Sequence, residues 1–189
     1  MRTIHLILAL LLLKVALCQE VDSPKEIARE TAIQHIGDFA QFGPTAVSLM
    51  TVIAKNDREG FWQLSKSVGT NLAVTWGLKH AFDKHRPEGQ TDGHAFPSGH
   101  TSFAFQGASF LQKRYGWKYG VPAYALAAYV GWSRIEGVDD RHDAWDVLAG
   151  AAVGIGSTYL FTTPYAHEHL ELSFKSGGGD YLVGVLYKF

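Results

Sequence analysis

The stretch GHAFPSGHTSFAFQG, Gly93 to Gly107, sets two histidines, a serine and glycines at the mouth of an apolar run. Ser98 is suited to cap a helix that begins there, and the first free N–H groups then belong to Gly99 and His100. Those donors, with the positive end of the helix, make an anion site. Glycine lets the anion come close to the backbone, and His100 falls in the first turn, where its ring reaches the same place. Upstream, KHAFDKHRP holds Lys79 and Arg86, seven residues apart. That is two turns if a helix runs through both, so both cations face one spot. Downstream, SRIEGVDDRHDAWD holds His142 and Asp146, four apart, which places the pair on one helix face. A carboxylate that takes one ring N–H fixes the tautomer and leaves the other nitrogen to attack. Each stretch alone reads as a capped helix, a solvated basic face or a surface His–Asp pair. Together they read as an oxyanion pocket with a nucleophile.

In this order the three stretches resemble the signature of the type 2 phosphatidic acid phosphatases. That superfamily also takes in bacterial class A acid phosphatases and vanadium-dependent haloperoxidases. Its pattern is K-x6-RP, then PSGH, then SR-x5-H-x3-D. Lys79…Arg86-Pro87 and Pro97-Ser98-Gly99-His100 follow it without departure. Ser133-Arg134…His142…Asp146 keeps the His–Asp spacing, but seven residues separate Arg134 from His142. Either that loop bulges and leaves Arg134 in place, or Arg141, next to His142, fills the third cationic position. The resemblance covers about Lys79 to Gly150. It implies that His142 attacks phosphorus, Asp146 orients it, and His100 protonates the leaving oxygen and then activates water. It also implies that Lys79, Arg86 and Arg134, with Ser98 and the Gly99 N–H, hold the phosphoryl oxygens. The physics agrees, since phosphoryl transfer needs positioning and positive charge more than covalent help. No metal and no other cofactor is expected, because three cations supply that electrostatic work, and vanadate is the expected inhibitor. A zinc site from His94, His100 and His142 lacks any familiar ligand spacing.

These residues need helices to carry them. SPKE, Ser23 to Glu26, is a capping box with proline in the first turn. It opens an amphipathic helix through about Ala40. Gly43-Pro44 opens a second helix to about Ala54, and a third runs from about Glu59 to Lys84, where Pro87 must stop it. A fourth spans Ser98 to about Arg114, a fifth about Val121 to Trp132, and a sixth about His142 to Phe161. Trp76, Trp132 and Trp145 read as core or interfacial aromatics. Two alternating segments around SGGGD, from Leu170 to Phe174 and from Val183 to Phe189, predict a β-hairpin, packed on the helical body or, less simply, serving as a barrel strand. The expected fold is all-α in the main, a six-helix bundle with a C-terminal β-hairpin.

The chain has 189 residues and a formal net charge of −1. That suits one domain and gives no basic field for nucleic acid. Residues 1–18 carry Arg2, an apolar run and small residues before Gln19, the pattern of a secretory signal. Cys18, the only cysteine, offers lipidation as a second reading of the same segment. The mature domain is then 19–189, with its motif core at 79–150, exported to the periplasm or cell envelope. Membrane association stays open, since a soluble bundle and a membrane bundle explain the small-residue helices about equally. The expected activity is hydrolysis of a lipid phosphate or small phosphoester. Vanadate-dependent halide oxidation and a non-catalytic anion-binding envelope protein are the alternatives.

Overall fold

A computed structural model describes residues 23–86, 93–138, 142–165, 170–177 and 180–187. The signal segment, Cys18, Pro87 and Arg141 lie outside the described residues. Six helices and a hairpin are present among those described: α1 Pro24–Ala40, α2 Gly43–Ala54, α3 Arg58–Ala81, α4 Gly99–Tyr115, α5 Trp117–Glu136, α6 Ala144–Tyr159, β1 Leu170–Gly177 and β2 Asp180–Tyr187. The mainly α expectation therefore holds, element by element.

Local chemistry explains most of the boundaries. Ser23 and Glu26 close the capping box at α1, with Ser23 N–H donating to Glu26 Oε2 at 2.8 Å. Asp57 caps α3 by accepting from the Gly60 N–H at 2.8 Å. Gly116, at φ 90°, ends α4 and admits α5 at once, a backbone state that glycine adopts without penalty. Helix α5 starts four residues earlier than Val121, because Pro122 in its second turn removes only the bond to the Lys118 carbonyl and is absorbed there.

Helix α4 lies at the centre, packed by α2, α3, α5 and α6. Its apolar side meets α5 through Ala104, Ala108 and Leu111 against Ala123, Ala127 and Val130. Its other sides are polar but satisfied. Gln106 donates to Ser67 Oγ at 2.8 Å, its carbonyl accepts from Thr158 Oγ1 at 2.9 Å, and Ser102 meets Thr75 at 3.0 Å. These bonds keep buried polar groups from carrying the cost of lost hydration. Helix α6 sits so close that a β-carbon at Gly154 would stand 2.3 Å from the Ser102 carbonyl. Gly150 and Gly154 permit that approach.

Of the two readings of Trp76, Trp132 and Trp145, core or interfacial, the first is excluded, since they are 66 %, 42 % and 73 % exposed. They stand on the outer faces of helices whose inner faces are filled by small residues. The hairpin pairs Leu172 with Val185 and Phe174 with Val183 as the alternation predicts. Phe174, Leu182 and Val183 are all exposed. Among the described residues, no helix is long and apolar enough to cross a membrane.

Candidate active site

Motif residues from four helices and the segments between them meet at one end of the bundle. Helix α6 does not begin at His142. Asp143 is its N-cap, and His142 is the residue before it. The His–Asp pairing survives this correction, with His142 Nδ1 3.4 Å from Asp146 Oδ2. Asp146 is fully buried and holds several partners at once. Its Oδ2 also accepts from the Asp143 N–H at 3.2 Å, its Oδ1 takes the Lys84 ammonium at 2.7 Å, and its carbonyl accepts from the Ser98 N–H at 2.9 Å. The last bond ties the cap of α4 to the first turn of α6.

His142 is 4 % exposed. Burial first, then the charge of Arg86, push its ring down to about 4, against the opposing pull of Asp146. A ring so depressed is neutral at neutral pH. With Nδ1–H held by Asp146, Nε2 keeps its lone pair, and it faces Arg86 Nη1 at 3.4 Å. A lone pair so placed is chemically able to attack an electrophile.

The cations arrive differently from the two-turn reading of Lys79 and Arg86. Helix α3 ends at Ala81, and Phe82 is extended. Lys84 breaks the helix because its backbone pairs elsewhere, its carbonyl accepting from the Ala95 N–H at 3.0 Å. Its ammonium is drawn to Asp143 at 2.5 Å and to Asp146. Lys79 thus comes from the last turn of α3, and Arg86 from the extended segment beyond it. Lys79 Nζ donates to the His94 carbonyl at 2.5 Å, and a β-carbon at Gly99 would lie 3.7 Å from Lys79 Cε. Lys84 and His94 form a parallel bridge, so both lie near the start of α4 beside Lys79. His94 contributes its carbonyl, while its ring packs edge-on against His80 at 5.0 Å.

Ser98 caps α4 as expected, with its hydroxyl accepting from the Thr101 N–H at 3.5 Å and from Thr101 Oγ1 at 3.0 Å. Arg134, from the last turn of α5, is buried. Its Nη1 meets Asp38 Oδ1 at 2.8 Å, and the same oxygen lies 3.2 Å from His100 Nε2. Arg134 therefore stands beside motif histidine His100 despite the longer loop behind it. The reason is local: the His142 N–H donates to the Arg134 carbonyl at 2.8 Å. The two residues whose spacing departs from the pattern are pinned to each other, and the extra length lies in the loop between them.

Sequence reasoning missed three residues here. Asp143 was legible, since Asp143 and Asp146 carry the three-residue spacing of a capping box. Lys84 lay inside the basic motif but looked helical. Asp38 gave no local signal, because its partners His100 and Arg134 are far along the chain, the latter 96 positions away.

A buried neutral imidazole braced by a carboxylate, next to cations and two helix N-termini, defines a centre for attack on a phosphoryl group. The family comparison agrees. The PAP2 superfamily matches residues 60–168, and the chain belongs to that superfamily, as a phosphatase of its type. It is 32 % identical over 173 residues to the lipid A 4′-phosphatase of Helicobacter pylori, covering 83 % of this chain and 85 % of that one. It is 46 % identical over 143 residues to the lipid A 1-phosphatase of Porphyromonas gingivalis, covering 67 % of this chain but only 32 % of that larger protein. In fold it is similar to the crystal structure of Aquifex aeolicus LpxE, with a TM-score of 0.56, 21 % identity, and coverage of 76 % of this chain and 89 % of that one.

Proposed function

We propose that this chain is a metal-independent phosphomonoesterase of the cell envelope that removes phosphate from a lipid such as lipid A, through a phosphohistidine on His142. The observation that carries the reading is the His142–Asp146 pair, with Nε2 unprotonated and directed at Arg86. The named activity of the Helicobacter relative, matched along most of both chains, supports the lipid substrate.

In the first half-reaction Nε2 of His142 bonds to phosphorus as the phosphorus–oxygen ester bond breaks. His100 gives its proton to the departing alkoxide, and Asp146 stabilises the imidazolium side of the new bond. In the second half, water attacks phosphorus, His100 takes the water's proton, and the phosphorus–nitrogen bond breaks to return His142. Lys79, Arg86 and Arg134, the Gly99 N–H and the Ser98 hydroxyl hold the phosphoryl oxygens. Their charge offsets that of the phosphate without a metal, and vanadate is bound in its place as an inhibitor.

Exposed aromatics support work at a lipid surface. Phe39, Trp76, Trp132 and Trp145 stand at the catalytic ends of α1, α3, α5 and α6, all outward. Such rings favour headgroup depth, where an apolar body meets a wet edge. Residues 1–18 act as the export signal in this reading, and 19–189 form the working domain.

The test is phosphate release from lipid A, phosphatidic acid and p-nitrophenyl phosphate, in chelator, with wild type and His142→Ala. Chelator-resistant, vanadate-sensitive release favouring the lipid monoesters is expected. Loss in His142→Ala is expected to be on the order of a thousandfold or more. A preference for the soluble ester would overturn the substrate assignment, and an active His142→Ala would overturn the nucleophile.

A further inference from the structure

Helix α1 lies outside the residues matched by the family, yet one of its side chains touches two motif residues. Asp38 sits in its last turn and uses a single oxygen, Oδ1, for both contacts: His100 Nε2 at 3.2 Å and Arg134 Nη1 at 2.8 Å. The approach is built, not incidental. A β-carbon at Gly37 would stand 2.0 Å from Ser133 Oγ and 2.7 Å from Arg134 Nη2. Only glycine there lets α1 come down onto the end of α5. The rest of the Arg134 fork is fixed by the same helix and its neighbour. Nη2 donates to the Gln34 carbonyl at 2.9 Å, and Nε to Ser133 Oγ at 3.2 Å.

We propose that Asp38 is the positioning residue for the acid–base histidine, doing for His100 what Asp146 does for His142. This rests on the reading of His100 as the proton donor to the leaving oxygen. A carboxylate that accepts a ring N–H fixes the angle of the ring and favours the imidazolium. An imidazolium is the form that can hand a proton to an alkoxide. Arg134 shares the same oxygen, which keeps the carboxylate from swinging away and sets the acid at a fixed place beside a phosphate-holding cation. The two histidines would thus be braced from opposite ends of the chain. Asp146 sits behind the nucleophile, inside the motif, and Asp38 behind the acid, outside it.

A competing role for Asp38 is a plug, an anion that must leave before phosphate can engage Arg134. The two roles separate in kinetics. General-acid help matters when the leaving oxygen is basic and fades when it is not. The parameter kcat/KM reads the step that forms the phosphoenzyme, where the leaving group departs. The experiment compares an alkyl phosphate with p-nitrophenyl phosphate in wild type, Asp38→Asn, Asp38→Glu, His100→Ala and the Asp38→Asn/His100→Ala double variant.

For Asp38→Asn we expect kcat/KM to fall on the order of 10- to 100-fold for the alkyl ester, within the range general-acid help supplies. For the aryl ester we expect much less change. Asp38→Glu should restore part of the alkyl rate and, should the asparagine fail to fold, carries the same comparison. The double variant should be no worse than His100→Ala, since the two act as one unit. Equal losses on both esters, or no loss, would overturn the assignment, as would a lower KM with kcat kept, which is the signature of the plug. If His100→Ala itself shows no leaving-group dependence, the fault lies in the assignment of the acid and not in Asp38 alone.

Discussion

The depressed basicity of His142 can be read in stability as well as in rate. In the folded chain the ring titrates near 4, against 6.5 when free in solution. The native state therefore resists protonation that the unfolded state accepts. Between those two values the unfolded chain binds more protons, so falling pH favours unfolding. The stability is whole above pH 6.5, declines through the window, and is fully lost below pH 4. A shift of that size is worth about 3 kcal/mol at the acid limit. At pH 5, still above the folded value, the loss is about 2 kcal/mol, and at pH 7.5 it is close to nothing. His142→Gln keeps a polar side chain of similar reach beside Asp146 but cannot titrate. Denaturant unfolding of both proteins in phosphate-free buffer at pH 7.5 and pH 5 reads the titration of His142 together with that of its partner Asp146. The wild type should lose about 2 kcal/mol more than the variant over that interval. Equal losses would mean that the ring is not depressed, and the neutral-nucleophile argument would go with it.

Three further outcomes follow from the same contacts. Lys84→Met takes the ammonium from between Asp146 and Asp143. The carboxylate then pulls harder on His142, and the acid limb of kcat/KM should move up from near pH 4 but stop short of 6.5, because burial and Arg86 still hold the ring down, while Lys84→Arg should leave it in place. Arg114→Leu strands Asp57, whose carboxyl burial would raise but which Arg114, Tyr115 and the Gly60 N–H hold below its usual value. That pair is buried at the far end of α4, roughly 20 Å from Gly99. Unfolding should be easier by about 3 to 5 kcal/mol with kcat of the folded fraction unchanged. Deleting Asp139 and Asp140 restores the five-residue spacing, and because Arg134 and His142 are already bonded across the loop, kcat/KM should stay within roughly tenfold of wild type.

What the sequence made legible was whatever chemistry is local. The capping box at Ser23, the cap at Ser98 and the spacing of His142 and Asp146 depend on residues within a turn of each other, and each stands where it was expected. The misreadings at Lys84 and Asp38 come from distant partners. The segment from Phe82 to Lys84 looks helical by composition, but an ammonium that can meet two carboxylates about sixty positions away gains more by leaving the helix. The tryptophans were left between core and interface, because size cannot say which face of a helix is already filled. Asp38 is one acidic residue in an amphipathic helix until α5 is laid against it.

The site also depends on where elements end more than on how far apart its residues stand in the chain. Asp38, Lys79 and Arg134 occupy the last turns of α1, α3 and α5, while His100 and Asp146 occupy the first turns of α4 and α6. Three helices thus bring negative ends to the pocket and two bring positive ends. A phosphate would be disfavoured by the three if they were bare. Lys79 and Arg134 sit on two of those ends and reverse their sign, and the open N–H groups of α4 supply the rest. In the proposed site Lys79 and Arg134 therefore have two tasks, cancelling the helix ends that deliver them and holding the phosphate, while Arg86, delivered by an extended segment, has only the second.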